Sequence, residues 1–215
     1  MERRALNRQE IRFLVGVPLA WAVLLLFHPA GEGEEIYQEL QDVVPRFLVV
    51  HIGMMIFIPL WTMAVLLLLR GVEGTAAWIS RIAVVVFAVF YSAYEVLQGI
   101  ATGVLADQVT GLPESERAIG AELIQDFAEH PLVRDLGVFA GIGGVGLITA
   151  VIAAAIALRR HASAPLSVAV LLVISGFLIQ AHPPPFGPTG LAVFIVAVLL
   201  FVRSQSAARA LSSTA

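Results

Sequence analysis

The chain of 215 residues is 59% hydrophobic and 13% charged, whereas about 25% of the residues in a soluble domain are charged. Its mean hydropathy is +0.89, and its formal net charge of −3 gives no reason to expect nucleic acid as a partner. The lack of cysteine excludes disulfides, iron–sulfur clusters and thiolate metal sites. We therefore expect one all-α transmembrane domain over 1–215, with no room for a sizeable soluble domain.

Six apolar segments are long enough, or nearly so, to cross a bilayer, which takes about 20 residues of helix. They are 11–28, 47–69, 79–105, 136–158, 165–181 and 188–203. The first follows a basic start but precedes no small-residue cleavage site, so we interpret it as a retained span. The last two are short and flank a proline-rich segment, where a re-entrant hairpin is the main alternative. The small polar residues of 204–215 predict a flexible tail.

Arginine placement predicts the orientation of these spans. In a six-span arrangement most arginines lie on the side of both termini, and only Arg46, Arg117 and Arg134 lie opposite. The positive-inside rule then places both termini in the cytoplasm of a bacterial-type plasma membrane. The outer loops are acidic, and their segments 34–44 and 114–130 have helical apolar periodicity. We predict two amphipathic helices there, lying over the bundle or in the lipid interface, with ordinary loop packing as the alternative.

The fourth span is rich in small residues. Its glycines are Gly137, Gly141, Gly143, Gly144 and Gly146. Because glycine lets a neighbouring helix approach closely, this span is predicted to lie centrally or at a homodimer contact. A phosphate-binding role is excluded because the backbone amides are committed to a helix in lipid.

Glu95 is the only acidic residue inside the six predicted spans. A carboxyl at membrane depth costs at least about 2.5 kcal/mol unless it is paired, protonated or hydrated. Tyr91, Gln98 and Thr102 are spaced from it so that they share one helical face, which we expect to look into the protein. Glu95, Tyr91 and Gln98 are therefore the predicted catalytic residues, and a neutral carboxyl hydrogen-bonded between helices is the structural alternative.

Three histidines fall in the same outer half as Glu95. His28, His51 and His182, together with Glu95, form a predicted site for Zn²⁺ or another divalent metal. Haem b held by His51 and His182 is a second prediction from the same residues. The structural alternative rests on the prolines that follow His28 and His182, because a residue before proline often ends a helix and the helix dipole favours histidine there. His130 also precedes a proline and lies on the outer side.

Three functions remain open from the sequence. The first is a metal-dependent enzyme that acts on a lipid-like or small apolar substrate in the outer half of the membrane. The second is a proton- or cation-coupled transporter or channel that uses Glu95. The third is a haem-binding or non-catalytic membrane subunit. The predicted partners are the bilayer, a lipid-like or small-molecule ligand and a second copy of the chain.

Overall fold

The chain folds into helices connected by short loops. A computed structural model describes residues 6–29 and 35–212, and these ranges contain no strand. The elements are α1 (Arg8–Leu25), α2 (Ile36–Leu40), α3 (Val44–Leu68), α4 (Thr75–Tyr94), a π-helical segment (Glu95–Ala101), α5 (Thr102–Thr110), α6 (Glu114–Glu129), α7 (Val138–His161), α8 (Leu166–Gln180) and α9 (Phe186–Ser212).

Four of the described helices are long and apolar enough to span a membrane. They are α3, the continuous helix Thr75–Thr110, α7, and α9 over Phe186–Ala207. The 15 residues of α8 are apolar but fewer than the roughly 17 needed for a full span. The 18 residues of α1 include three charged side chains in its first turns. These helices support the predicted all-α membrane protein.

The first helix lies antiparallel to α3. It begins in a capping box, in which Asn7 accepts a hydrogen bond from the Glu10 amide and Glu10 accepts one from the Asn7 amide. Glu10 also pairs with Arg70, just beyond the end of α3. At the other end, the His28 ring packs against the ring of His51 in α3, with 5.0 Å between centroids. Helix α1 therefore packs along α3 between Arg70 and His51.

Helices α4 and α7 pack closely against each other, and α7 is the most buried of the four candidate spans. A Cβ added at Gly143 would lie 2.9 Å from the Tyr91 amide nitrogen, and one at Gly146 would lie 2.8 Å from that of Phe87. The glycines therefore allow the two backbones to approach closely, as predicted for a central span. The predicted homodimer contact stays a prediction.

Helices α2 and α6 lie within the two loops that the sequence analysis predicts to be outer loops. Helix α6 buries Gly120, Ile124 and Ala128, whereas Ile119 and Leu123 are 65% and 64% exposed. The apolar residues of this helix therefore lie partly on its buried face and partly on its exposed face. Residue 34, at the start of the other predicted amphipathic segment, lies outside the described residues, as do Arg3 and Arg4.

The last helix extends beyond the apolar segment 188–203. Helix α9 continues to Ser212, so the part of the predicted tail over 204–212 is helical. The Gln205 amide donates to the Ala162 carbonyl at 2.7 Å, which joins this end of α9 to the α7–α8 loop. Residues 213–215 lie outside the described residues.

Candidate metal centre

Three helix ends bring three histidines together. His51 lies two turns inside α3, His28 three residues after α1, and His182 two residues after α8. The centroid of the His28 ring lies 5.0 Å from the centroid of the His51 ring and 5.0 Å from that of the His182 ring. The centroids of the His51 and His182 rings are 6.4 Å apart. One ring nitrogen from each lies within 4.8 Å of the others, close enough to hold a metal ion. The structure thus places three of the four predicted ligands, the histidines, in one cluster.

Hydrogen bonds set the tautomers of two of these rings. The Nδ1 atom of His51 lies 2.8 Å from the Phe47 carbonyl, and that of His28 lies 2.7 Å from the Pro29 carbonyl. Since a carbonyl oxygen only accepts, each Nδ1 carries the proton and each Nε2 keeps its lone pair. The buried Nε2 of His28 has no hydrogen-bond partner among the described residues.

A tyrosine holds the third ring. The Nδ1 atom of His182 lies 3.0 Å from the Tyr91 hydroxyl, which lies 3.5 Å from the Gln180 carbonyl. When Tyr91 donates to that carbonyl, it accepts from the His182 Nδ1–H group, which again leaves Nε2 as the free acceptor. Burial, reinforced by His28 and His51, lowers the pKa of His182 well below its ordinary value and keeps the ring neutral. A histidine that donates one N–H to an oxygen and offers its other nitrogen is the usual metal-ligand arrangement.

Glu95 lies beside this cluster and is fully buried. Its Oε2 atom is 3.6 Å from Nε2 of His51, too far for a hydrogen bond but close enough for both atoms to contact one species between them. Neither carboxyl oxygen has a hydrogen-bond partner among the described residues. Buried polar atoms rarely lack partners, and an ion or ordered water commonly accounts for those that do.

The π-helical segment positions Glu95 against His51. The segment begins at Glu95, and the Thr102 hydroxyl donates to the Leu97 carbonyl five residues earlier. Gly99 lies directly against the His51 ring, where a larger side chain would overlap it. Single π-helical turns inside α-helices are frequent at functional sites.

A cavity of about 580 Å³ opens onto the histidine cluster, a volume typical of small-molecule sites. The predicted residues Tyr91, Gln98 and Thr102 line it, whereas Glu95 lies behind them. The Oε1 atom of Gln98 is buried and has no hydrogen-bond partner among the described residues. The remaining lining residues are His28, Pro29, Ile36, Glu39, Leu40, Phe47, His51, Tyr94, Asp135, Leu136, Ala140, Phe177, Gln180, Ala181, His182 and Pro183.

Sequence reasoning missed two residues of this cavity. Tyr94 donates a hydrogen bond to the carboxylate of Asp135, and both side chains line the cavity. Tyr94 is displaced from the α-helical face of Glu95, and Asp135 is one of many acidic loop residues, so spacing alone did not reveal them. His130 does not join the site, because it is exposed at the end of α6 and its Nδ1 accepts from the Leu132 amide.

The fold and the site define the class as an all-helical membrane protein in which three histidines from separate elements lie close enough to hold a metal ion. Comparison of the chain with protein-family models, curated proteins and solved structures gave no match. The function is therefore argued from the site alone.

Proposed function

We propose that the protein is a membrane-embedded, metal-dependent hydrolase whose metal, Zn²⁺ by preference, is held by His28, His51 and His182. One observation carries the proposal: one ring nitrogen from each of the three histidines lies within 4.8 Å of the others, and the cluster lies beside the buried carboxyl of Glu95, whose oxygens lack hydrogen-bond partners among the described residues. Three histidines with a fourth position open to a cavity are a common ligand set of catalytic zinc. Zinc held there would lower the pKa of a bound water to near neutrality.

The crowding of the rings favours a bare ion over haem. A haem with two axial histidines needs them on opposite faces of a flat macrocycle. Here the centroids of His51 and His182 are 6.4 Å apart, and the His28 ring lies 5.0 Å from His182 and from His51. A third imidazole in contact with both rings suits the small coordination sphere of a metal ion.

In this proposal three residues around the histidines have separate roles in hydrolysis. Glu95 takes a proton from the attacking water as the water oxygen bonds to an acyl carbon. It returns this proton to the leaving oxygen or nitrogen as the bond between that atom and the acyl carbon breaks. Tyr91 holds the ring of His182 in its tautomer. Gln98 offers an unpartnered amide oxygen to a donor group of the substrate.

Zinc content tests the metal site directly. We expect purified protein to hold one zinc per chain, measured by elemental analysis, and a His182→Ala variant to lose it. The control is His130→Ala, which removes another histidine–proline pair but lies outside the cluster. Wild-type protein without bound metal, which also fails to take up added Zn²⁺ or Co²⁺, would overturn the proposal.

The role of Glu95 is tested by Glu95→Gln, which keeps the shape but not the proton acceptor. We expect this variant to retain zinc and to lose hydrolysis of a fluorogenic long-chain acyl ester that the wild type cleaves in a chelator-sensitive manner. If zinc disappears together with turnover, Glu95 is a ligand and the assignment as proton acceptor is wrong. Absence of cleavage by zinc-loaded wild type, with ester and amide substrates of several chain lengths, would contradict hydrolysis.

We further propose that α1 and α8 complete six membrane crossings. Helix α1 lies along α3 between His51 and Arg70, a length of about 28 Å at 1.5 Å per residue. This length is close to the roughly 30 Å thickness of a bilayer core. Gly176 of α8 packs on Val151 of α7, so α8 lies against a helix that is long enough to span the membrane. In this arrangement the histidine cluster lies at the outer end.

Cysteine labelling tests this topology because the native chain has no cysteine. We expect a membrane-impermeant maleimide to label Glu116→Cys in α6 on intact cells, and to label Gln9→Cys and Glu73→Cys only after lysis. All three positions are exposed. Labelling of Gln9→Cys or Glu73→Cys on intact cells would contradict the proposed orientation.

A further inference from the structure

The cavity beside the histidines has an apolar mouth as well as a polar floor. Leu136 and Phe177 both line it, yet they are 83% and 57% exposed. Leu136 precedes α7 and Phe177 lies one turn before the end of α8, so the mouth opens between the ends of two apolar helices. In the proposed topology, the large apolar side chains exposed there would face the acyl-chain boundary of the bilayer.

The backbone at this mouth is strained. Leu136 has a φ angle of 58°, in the left-handed region that a leucine rarely adopts because its Cβ crowds the following carbonyl oxygen. Leu136 adopts this conformation although its side chain gains almost no burial. Strain of this kind persists where the surroundings require it and clusters at ligand-binding sites.

The charges around the cavity discriminate between head groups. Its described lining contains the acidic residues Glu39 and Asp135 and no arginine. Asp135 accepts the Tyr94 hydrogen bond at the same end of the cavity as Leu136, its neighbour in sequence. In the metal-free protein an anionic head group such as a phosphate or sulfonate would be repelled by these carboxylates, whereas an uncharged amide or ester would not.

We propose that the cavity takes an uncharged, single-chain amphiphile, such as a fatty amide or ester, sideways from the bilayer between Leu136 and Phe177. The head group lies towards Gln98 and the histidines, while the acyl chain leaves through the apolar mouth. This inference rests on the proposed function for the chemistry that follows binding, but the binding step does not require the metal.

The test uses a fluorophore at the mouth and a quencher on the ligand. A bimane label is placed at Leu136→Cys in reconstituted protein, and a fatty amide that carries a nitroxide on its chain is added. The control label is placed at Val145→Cys on α7, which is 69% exposed and does not line the cavity. We expect saturable quenching at Leu136→Cys and only linear, partition-limited quenching at Val145→Cys.

Head-group selection is measured with a matched nitroxide-labelled alkyl sulfonate. In the metal-free protein we expect the amide to bind at least about tenfold more tightly, because one like-charge contact near a protein surface readily exceeds a tenfold effect. Asp135→Asn should reduce this preference, since it removes the negative charge. Equal affinity for amide and sulfonate in the metal-free wild type would overturn the selection by charge.

Each measurement is made with metal-free and zinc-loaded protein, so that the two proposals fail separately. Linear quenching at Leu136→Cys in both forms, and at a second label on Phe177→Cys, would overturn lateral binding whatever the zinc content. Saturable quenching in a protein that never holds metal would support lateral binding and contradict the hydrolase.

Discussion

Gly99→Ala is the substitution that most sharply tests the histidine cluster. A Cβ at residue 99 would overlap the His51 ring and lie 2.9 Å from the His51 Cβ. Ordinary carbon–carbon contacts begin at about 3.5 Å, so His51 must move by at least about 0.6 Å. Metal ligands must be placed to within about 0.2 Å. We therefore expect zinc affinity to fall by at least about 10- to 100-fold, a loss typical of disturbed ligand geometry.

The same substitution has a predictable effect on stability. Overpacking a filled site costs about 1–3 kcal/mol, against which the gain from replacing glycine by alanine in a helix is about 0.5–1 kcal/mol. Metal-free Gly99→Ala should therefore unfold at a slightly lower temperature than the wild type. Zinc affinity is measured by competition with a chromophoric chelator, and unfolding by thermal denaturation in detergent.

Two matched substitutions separate the metal effect from crowding in general. Gly120→Ala introduces a Cβ 2.6 Å from Val109 in the α5–α6 contact, away from the histidines, and should lower stability without changing zinc affinity. Gly16→Ala places its Cβ in open space and should lower neither the zinc affinity nor the stability. Unaltered zinc affinity in folded Gly99→Ala would refute the placement of His51 as a ligand.

Three further predictions follow from single contacts. Tyr91→Phe removes the hydroxyl that holds His182 and should weaken zinc binding about tenfold while the fold persists; unchanged affinity would contradict the orienting role. Ser80→Ala removes a buried hydrogen bond to the Ala150 carbonyl and should lower the free energy of unfolding by about 0.6–1.7 kcal/mol, measured by denaturant titration; a larger loss would indicate that more than this bond is broken. Glu10→Gln weakens an exposed pair with Arg70 and should shift the melting temperature only slightly, and less still at high salt.

The sequence allowed the class of fold and the main site residues to be predicted. Apolar length identified the helices, and the cost of a buried carboxyl singled out Glu95, which is fully enclosed. The convergence of His28, His51 and His182 could only be a hypothesis, because nothing local in the sequence links three residues on separate helices. Contacts between helices, not propensities, bring them together.

The π-helical segment could not be predicted, and it changes the details of the site. Spacing by four, three and four assumes a regular α-helix through Tyr91, Glu95, Gln98 and Thr102. The segment Glu95–Ala101 alters that register, so Glu95 lies behind the cavity while Gln98 and Thr102 line it. Asp135 enters from a loop whose path no periodicity describes. Local hydrogen bonding, which hydropathy does not report, decides these positions.

The three histidine–proline pairs show why the helix-dipole explanation is insufficient for the site. If the dipole alone placed histidines at helix ends, all three rings would lie near their own last carbonyls or in solvent. His130 behaves in this way, exposed at the end of α6 and bonded to the nearby Leu132 amide. His28 and His182 instead turn towards each other, and His182 pairs with Tyr91 of another helix. The same dipeptide thus has a local role at α6 and a shared one at α1 and α8, and only the histidines of the shared one bring a ring nitrogen within 4.8 Å of the ring nitrogen that His51 offers.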